Sequence, residues 1–195
     1  MSNPHPQPPE TPAPGETDVR RMNWGSGEWA DPGWINSDLK DGPGVDIACD
    51  IRDGLPLETS SLDYIVSHHA LVEIPMSEIV PVLKELRRVL KPGGVIRLGL
   101  PDLDHAIKAY QEKDRDYWLI PDEDATTIGG KFVTQVLWYG YTRTLFTHDF
   151  AEEMLLKAGF RDAVGCAFGE TKSQHPGIVE QDTRERESLF VEATK

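Results

Sequence analysis

Apolar residues along this chain follow two spacings. Short apolar blocks, the mark of buried strands, stand at residues 21–24, 34–38, 45–48, 62–67, 95–100, 163–168 and 188–193. The second spacing is helical. Ile79, Val82, Leu83, Leu86, Val89 and Leu90 recur every three or four positions and define one apolar face. Ser77 is placed to cap that helix, Pro81 is tolerable only in its first turn, and Pro92-Gly93-Gly94 reads as its end. Residues 102–113 also read as helical. A further helix runs from a Thr147 cap to Leu156 and is closed by Gly159. Strands alternating with helices predict an α/β fold with a parallel, doubly wound sheet.

Two stretches break the rhythm. Residues 1–19 hold six prolines within the first fourteen positions and, after Met1, no large apolar residue before Val19. Such a segment cannot bury enough surface to offset its ordering entropy, so it reads as a disordered or extended arm ahead of one domain at 20–195. Residues 115–146 carry Tyr117, Trp118, Trp138, Tyr139, Tyr141 and Phe146. A long insertion after a strand's carboxyl end is where α/β enzymes build substrate sites, and Trp118, Trp138, Tyr139 and Tyr141 are its candidate substrate contacts. The same rings would also serve as packing for a local subdomain.

Charge narrows the partners. The 195 residues hold 20 Lys and Arg against 33 Asp and Glu, a net charge of −13. Phosphate backbones and anionic lipid repel such a chain, so nucleic acid, membrane surfaces and anionic acceptors are unexpected partners. No stretch approaches the roughly 18 apolar residues of a membrane span. The two cysteines, Cys49 and Cys166, lie far apart and read as reduced thiols of a cytoplasmic protein. A homodimer is the assembly to test.

Candidate chemistry begins at Asn23-Trp24-Gly25-Ser26-Gly27, directly after the first strand. Glycine there admits close approach of a ligand, and free N–H groups could meet its polar atoms. Gly25, Gly27 and Ala30 match the G-x-G-x-x-A dinucleotide pattern. Asp38 ends the next strand and could take two ribose hydroxyls. It follows Gly27 by only 11 residues, where the dinucleotide rule asks for about 20. The first crossover helix is therefore missing or cut to a turn, which counts against an NAD domain and less against a cofactor without phosphates. Asp50 and Ile51, after the third strand, could hold an adenine by its amino group and ring face. Residues 62–67 then deliver Ser67, His68 and His69 to the carboxyl edge of the sheet.

The order N-W-G-S-G, G-W-I-N-S-D, D-Y-I-V-S-H-H, R-V-L-K-P-G-G-V-I-R-L-G-L-P-D and L-L-K-A-G-F resembles class I S-adenosylmethionine (SAM)-dependent methyltransferases over residues 20–161. Asn23 stands where that family usually has an acid. The resemblance implies a Rossmann-like, mostly parallel sheet with an antiparallel C-terminal strand and a shortened first crossover helix. It implies SAM as cofactor, with Asn23, Gly25, Ser26 and Gly27 against its methionine part. Asp38 would hold its ribose, Asp50 and Ile51 its adenine, and Ser67 and His68 the floor beneath the sulfonium. With its G-x-G…G-W-I-N-S-D start and shortened first crossover helix, the chain resembles a compact subgroup of that family that is similar to saccharide O-methyltransferases.

Methyl transfer from a sulfonium is an in-line displacement, so the protein must align donor and acceptor and exclude water. A hydroxyl acceptor also needs a base. Candidates are His68, His69 and His148, with Glu73, Asp102 and Asp149 as partners or alternative bases. The same carboxylates and histidines could gather a Mg2+ ion. Asp102 could equally cap the following helix. Asp149 flanks the insertion as a polar substrate contact. The expected acceptor is a small molecule or saccharide. The alternatives are a small-molecule N- or C-methyltransferase of secondary metabolism and a non-catalytic cofactor-binding scaffold.

Overall fold

The computed structural model describes residues 19–195; the proline-rich arm, except Val19, lies outside the described residues. Seven strands form one sheet: β1 (Arg21–Trp24), β2 (Ile35–Asp38), β3 (Ile47–Ala48), β4 (Leu62–His68), β5 (Leu90–Pro101), β6 (Arg161–Cys166) and β7 (Ser188–Thr194). Their order is β3-β2-β1-β4-β5-β7-β6. Strands β1 to β5 are parallel, and β7 runs antiparallel to both β5 and β6. Four helices follow the later strands: α1 (Ile79–Val89), α2 (Leu103–Glu112), α3 (Ile128–Leu137) and α4 (His148–Lys157). The α/β, Rossmann-like sheet with an antiparallel final strand is the expected fold class. Among the described residues no helix is long and apolar enough to cross a membrane.

Local details differ from the expectation. Helix α1 is preceded by a 3-10 turn at Met76–Glu78, so Ser77 lies inside that turn and Glu78 takes the cap position without a side-chain bond. The helix stops at Val89 and the chain extends at once. Pro92-Gly93-Gly94 therefore belongs to β5. Leu90 pairs with Leu62 and the ladder resumes at Val95, opposite Tyr64, so the motif sits in an irregularity between the two. Residues 25–34 form turns in place of the first crossover helix.

The two faces of the sheet are covered differently. Ile65, Ile96, Leu98, Leu100, Leu189 and Val191 share one core with Val82, Leu83 and Leu86 of α1 and with Ala151, Met154 and Leu155 of α4. Each such buried Val, Leu, Ile or Met side chain contributes roughly 1.5–3 kcal/mol. Tyr64, Val66 and Val95 face the other way and meet Trp34, Ile178 and Val179. That second face is covered by the β6–β7 connection, residues 167–187.

A buried arginine holds this connection in place. Arg97 on β5 is 0% exposed. Its Nε and one terminal nitrogen donate to Asp182 (2.7 and 2.6 Å), and the other donates to Glu192 (2.7 Å) and the Glu170 carbonyl (2.9 Å). The Ala167 carbonyl accepts the last donor at 3.1 Å. All five N–H groups thus have acceptors, which a buried guanidinium requires.

The insertion forms its own small core. Ala106 and Ala109 of α2 meet Tyr117, Trp118 and the α3 residues Ile128, Phe132 and Val136. Its far end returns to the sheet, where Leu103 N–H donates to the Phe146 carbonyl (3.1 Å) and Arg143 N–H to the Val72 carbonyl (2.8 Å).

Candidate functional site

A cleft of about 750 Å3 opens at the carboxyl ends of β1, β2, β4 and β5, beneath the insertion. This is where open α/β sheets bind ligands.

One end is built by the β1–β2 turn. Gly25 has φ +73°, and a Cβ there would lie 2.2 Å from the Ala70 Cβ, so no larger residue fits. The N–H groups of Gly25 and Ser26 both donate to the Ser37 carbonyl (2.7 and 3.1 Å). The Gly27 N–H donates to Asp38 Oδ2 (2.8 Å) and the Lys40 N–H to Asp38 Oδ1 (3.1 Å). The expectation of free N–H groups in this loop is therefore corrected: all three are committed within the turn. The loop offers no cradle for a pyrophosphate, which removes the basis of the dinucleotide reading. Asp38 lines the cleft and each of its oxygens keeps a lone pair for a ligand hydroxyl.

Gly25, Gly27, Asp38, Asp50 and Ile51 come together in this wall. Asp50 caps the 3-10 turn at Ile51–Asp53 and receives Arg52 through two nitrogens (2.8 and 2.5 Å). Those bonds hold its carboxyl below the usual range. Asn23, Ser26 and Ser67 are buried behind the wall, and the Asn23 amide donates to the Trp29 carbonyl at 3.2 Å.

The other end holds His68, His69, Glu73 and Asp102 with Trp138 and Tyr141. His68 pairs in register with Gly99 of β5, and a Cβ at Gly99 would lie 2.3 Å from His68 Nδ1. A glycine inside a buried strand is explained by that imidazole lying across it. His68 Nε2 points toward Asp182 Oδ1, 3.8 Å away. Both ring nitrogens are covered and have no hydrogen-bond partner among the described residues. Burial pushes the His68 pKa down to about 4, partly opposed by Asp182. The reading of His68 as a base in contact with an acceptor is not what this rotamer offers.

His69 follows β4 with φ +56° and shares a hydrogen bond from Nε2 to Ser188 Oγ (2.8 Å). Burial, then the charge of Arg184, lowers its pKa to about 3. Glu73 is shifted the other way, by burial and then by Asp38. Asp102 caps α2 through the His105 N–H (3.1 Å), which leaves it at the cleft edge.

Other expected residues lie elsewhere. His148 opens α4 and packs over Gly165 of β6, and Asp149 accepts the Thr147 hydroxyl and the Phe150 N–H on the helix surface. Trp118 is buried in the insertion's core, and Tyr139 turns outward to bond Asp124. None of these four lines the cleft. Among the described residues no three His, Cys, Asp or Glu side chains gather as a metal site, so the Mg2+ expectation finds no ligand set.

The structure adds Tyr117, Arg143, Arg184 and Glu187 to the lining. Burial, then Glu187 and Asp102, pushes the Tyr117 hydroxyl up to about 12. Arg184 and Glu187 stand just before β7, and their position was readable from topology. An antiparallel last strand begins at the carboxyl edge of the sheet, so residues preceding it arrive at the cleft.

Residues 32–98 match the family model of a methyltransferase domain, about a third of the chain. No curated protein matches. A SAM-dependent methyltransferase from Thermotoga maritima, described as a possible histamine N-methyltransferase, superposes with TM-score 0.57 at 19% identity, covering 90% of this chain and 82% of that one. A SAM-dependent methyltransferase from Mesorhizobium loti gives 0.55 at 21%, covering 91% of each chain. Haemonchus contortus phosphoethanolamine N-methyltransferase 2, solved with phosphomonomethylethanolamine and S-adenosylhomocysteine, gives 0.55 at 16%, covering 93% of this chain and half of that one. The fold is that of SAM-dependent methyltransferases, and the matched domain supports the same class.

Proposed function

We propose that this chain is a SAM-dependent methyltransferase acting on a hydroxyl of a small polar acceptor, with a sugar as the favoured class. The observation that carries the reading is Asp38. A carboxylate with free lone pairs ends β2 in the same cleft as a glycine turn whose own N–H groups are all committed. That pairing suits a nucleoside without phosphates. Asp38 would take its ribose hydroxyls, Asp50 and Ile51 would border its adenine, and the loop at Gly25 and Gly27 would lie along its methionine part. When bound, the donor supplies an electrophilic methyl group on a sulfonium.

The chain's own residues do the rest. Trp138 and Tyr141 offer flat faces to a sugar ring. The insertion closes over the cleft and limits water. His69 is the imidazole fitted to take the hydroxyl proton. With its Nε2 hydrogen donated to Ser188, the lone pair sits on Nδ1, since the bond to Ser188 is the side chain's one hydrogen bond among the described residues. Its low proton affinity keeps it neutral at every pH above about 4. The same property makes it a weak base. That favours, as a second reading, an acceptor nitrogen that enters already deprotonated and needs no base.

Titration with S-adenosylhomocysteine, followed by a saccharide and amine panel with SAM, tests both. The first reading expects binding, turnover of a saccharide, and a loss of about 10^2-fold in kcat for His69→Ala. His68→Gln should lose less than tenfold. Amine turnover indifferent to His69 would establish the second reading instead. No binding of S-adenosylhomocysteine would refute the class.

A further inference from the structure

We propose that the acceptor carries an anionic group, a phosphate or a carboxylate, which docks on the guanidinium groups of Arg184 and Arg143. The proposal rests on the methyltransferase reading and names the acceptor class for that same cleft.

Two arginines near the cleft differ in what their donors are free to do. Arg97 has an acceptor for each of its five donors and no exposure. It holds structure together and has nothing left for a ligand. Arg184 leaves the same connection with a left-handed backbone, φ +58°, and lines the cleft. One terminal nitrogen meets Glu187 Oε1 at 3.1 Å, and the guanidinium stands 5.8 Å from the Trp138 ring centroid. Its other donors have no hydrogen-bond partner among the described residues. Arg143 is tied to the segment after β4 by its backbone alone, through the Val72 carbonyl. The residue lines the cleft, and its guanidinium has no hydrogen-bond partner among the described residues and acts on Glu73 by charge.

The acids of the cleft do not cancel them. Asp38 accepts two backbone N–H groups, Asp50 holds Arg52, Glu187 holds Arg184, and Asp102 caps α2. Glu73 alone among these acids has no hydrogen-bond partner in the described residues, and Arg143 and Lys40 stand near it. Of the nine Asp, Glu, Lys and Arg side chains lining the cleft, four are basic and five acidic, so it carries one of the chain's thirteen net negative charges. The whole-chain charge, which argued against anionic acceptors, is therefore a property of the rest of the surface. Guanidinium forks match carboxylate and phosphate in two-point geometry, which a neutral sugar hydroxyl does not reward. Arg184 also lies within Coulombic reach of His69. An anion seated there leaves a neighbouring hydroxyl of the same molecule beside the imidazole.

The test uses the full chain loaded with S-adenosylhomocysteine. Glucose 6-phosphate, glucuronate, glucose and glucosamine are titrated calorimetrically. The expected result is at least tenfold tighter binding of the two anions than of glucose and glucosamine. Arg184→Gln and Arg143→Gln should each reduce that preference severalfold, and Arg184→Lys should restore part of it. Arg143→Gln breaks no ion pair, so it keeps the test decisive if Arg184→Gln folds poorly. Equal binding of all four, binding of none, or a preference untouched by both variants would overturn the proposal. The phosphate and the carboxylate are separated by which anion binds more tightly. Failure to bind S-adenosylhomocysteine at all would instead remove the methyltransferase reading beneath it.

Discussion

The two faces of the sheet solve one problem with different chemistry. On the first, α1 and α4 lay apolar stripes against apolar strand residues, and the contact is stabilised by area removed from water. On the second, the crossover helices are replaced by turns and the β6–β7 connection lies across the strands, fastened through Arg97 to Asp182 and Glu192. A hydrophobic face tolerates substitutions that keep volume. A buried ion-pair network requires every partner, because any one removed leaves a charge without compensation. The second face is also the one that delivers Arg184 and Glu187 to the cleft. Its packing is therefore tied to the shape of the cleft through those two residues.

The sharpest way to break this comparison is Arg97→Ala. It strands two buried carboxylates and should cost about 3–5 kcal/mol in denaturant unfolding. Arg97→Met combined with Asp182→Leu and Glu192→Leu should recover much of that. A core cavity on the helical face, Leu86→Ala, should cost about 2–5 kcal/mol while leaving S-adenosylhomocysteine affinity unchanged. Loss of affinity with Arg97→Ala but not with Leu86→Ala would support the distinction.

Gly99→Ala comes next. Its Cβ would sit 2.3 Å from His68 Nδ1 and 3.2 Å from the Phe190 ring, so the imidazole must move. A loss of about 1–3 kcal/mol is expected, read as a lower Tm.

Acid acts on the two histidines at the cleft. The unfolded chain protonates each near pH 6.5, whereas the folded chain keeps His68 neutral to about 4 and His69 to about 3. Between those limits the unfolded state binds more protons, so stability is full above about pH 7 and falls as pH drops. The slope should be about 1.4 kcal/mol per pH unit for each imidazole. Replacing His69 with Asn should halve it. An unchanged slope would show that other groups set the acid limit.

The smallest effect belongs to Lys157→Ala. Its pair with Glu153 (2.5 Å) has the charges of the Arg97 network but is more than half exposed. A change within about 0.5 kcal/mol is expected. A loss matching Arg97→Ala would mean that burial is not what separates the two.

Much of the frame was legible beforehand. The strands and helices follow from local periodicity. The 11 residues from Gly27 to Asp38 already excluded a full crossover helix. The same spacing did not reveal that the loop's N–H groups are committed, since that depends on the Ser37 carbonyl reaching back from β2. Pro92-Gly93-Gly94 does follow the end of the helix, but the strand begins ahead of it: Leu90 already pairs with Leu62, and the motif is an irregularity in the ladder before Val95 pairs with Tyr64. The charged run before β7 offered no periodicity and went unread.

By itself, then, the order of residues determined the α/β alternation, the glycine turn, the acid at Asp38 and the aromatic character of the insertion, all set by interactions within a few positions. Tertiary structure alone decided that Arg97 would find partners 85 and 95 residues away and that His68 would be covered by packing on Gly99. It also decided that the Arg184 guanidinium would stand beside the Trp138 ring. The physical reason is that burial and charge pairing depend on which distant segments meet, and no local pattern encodes that meeting.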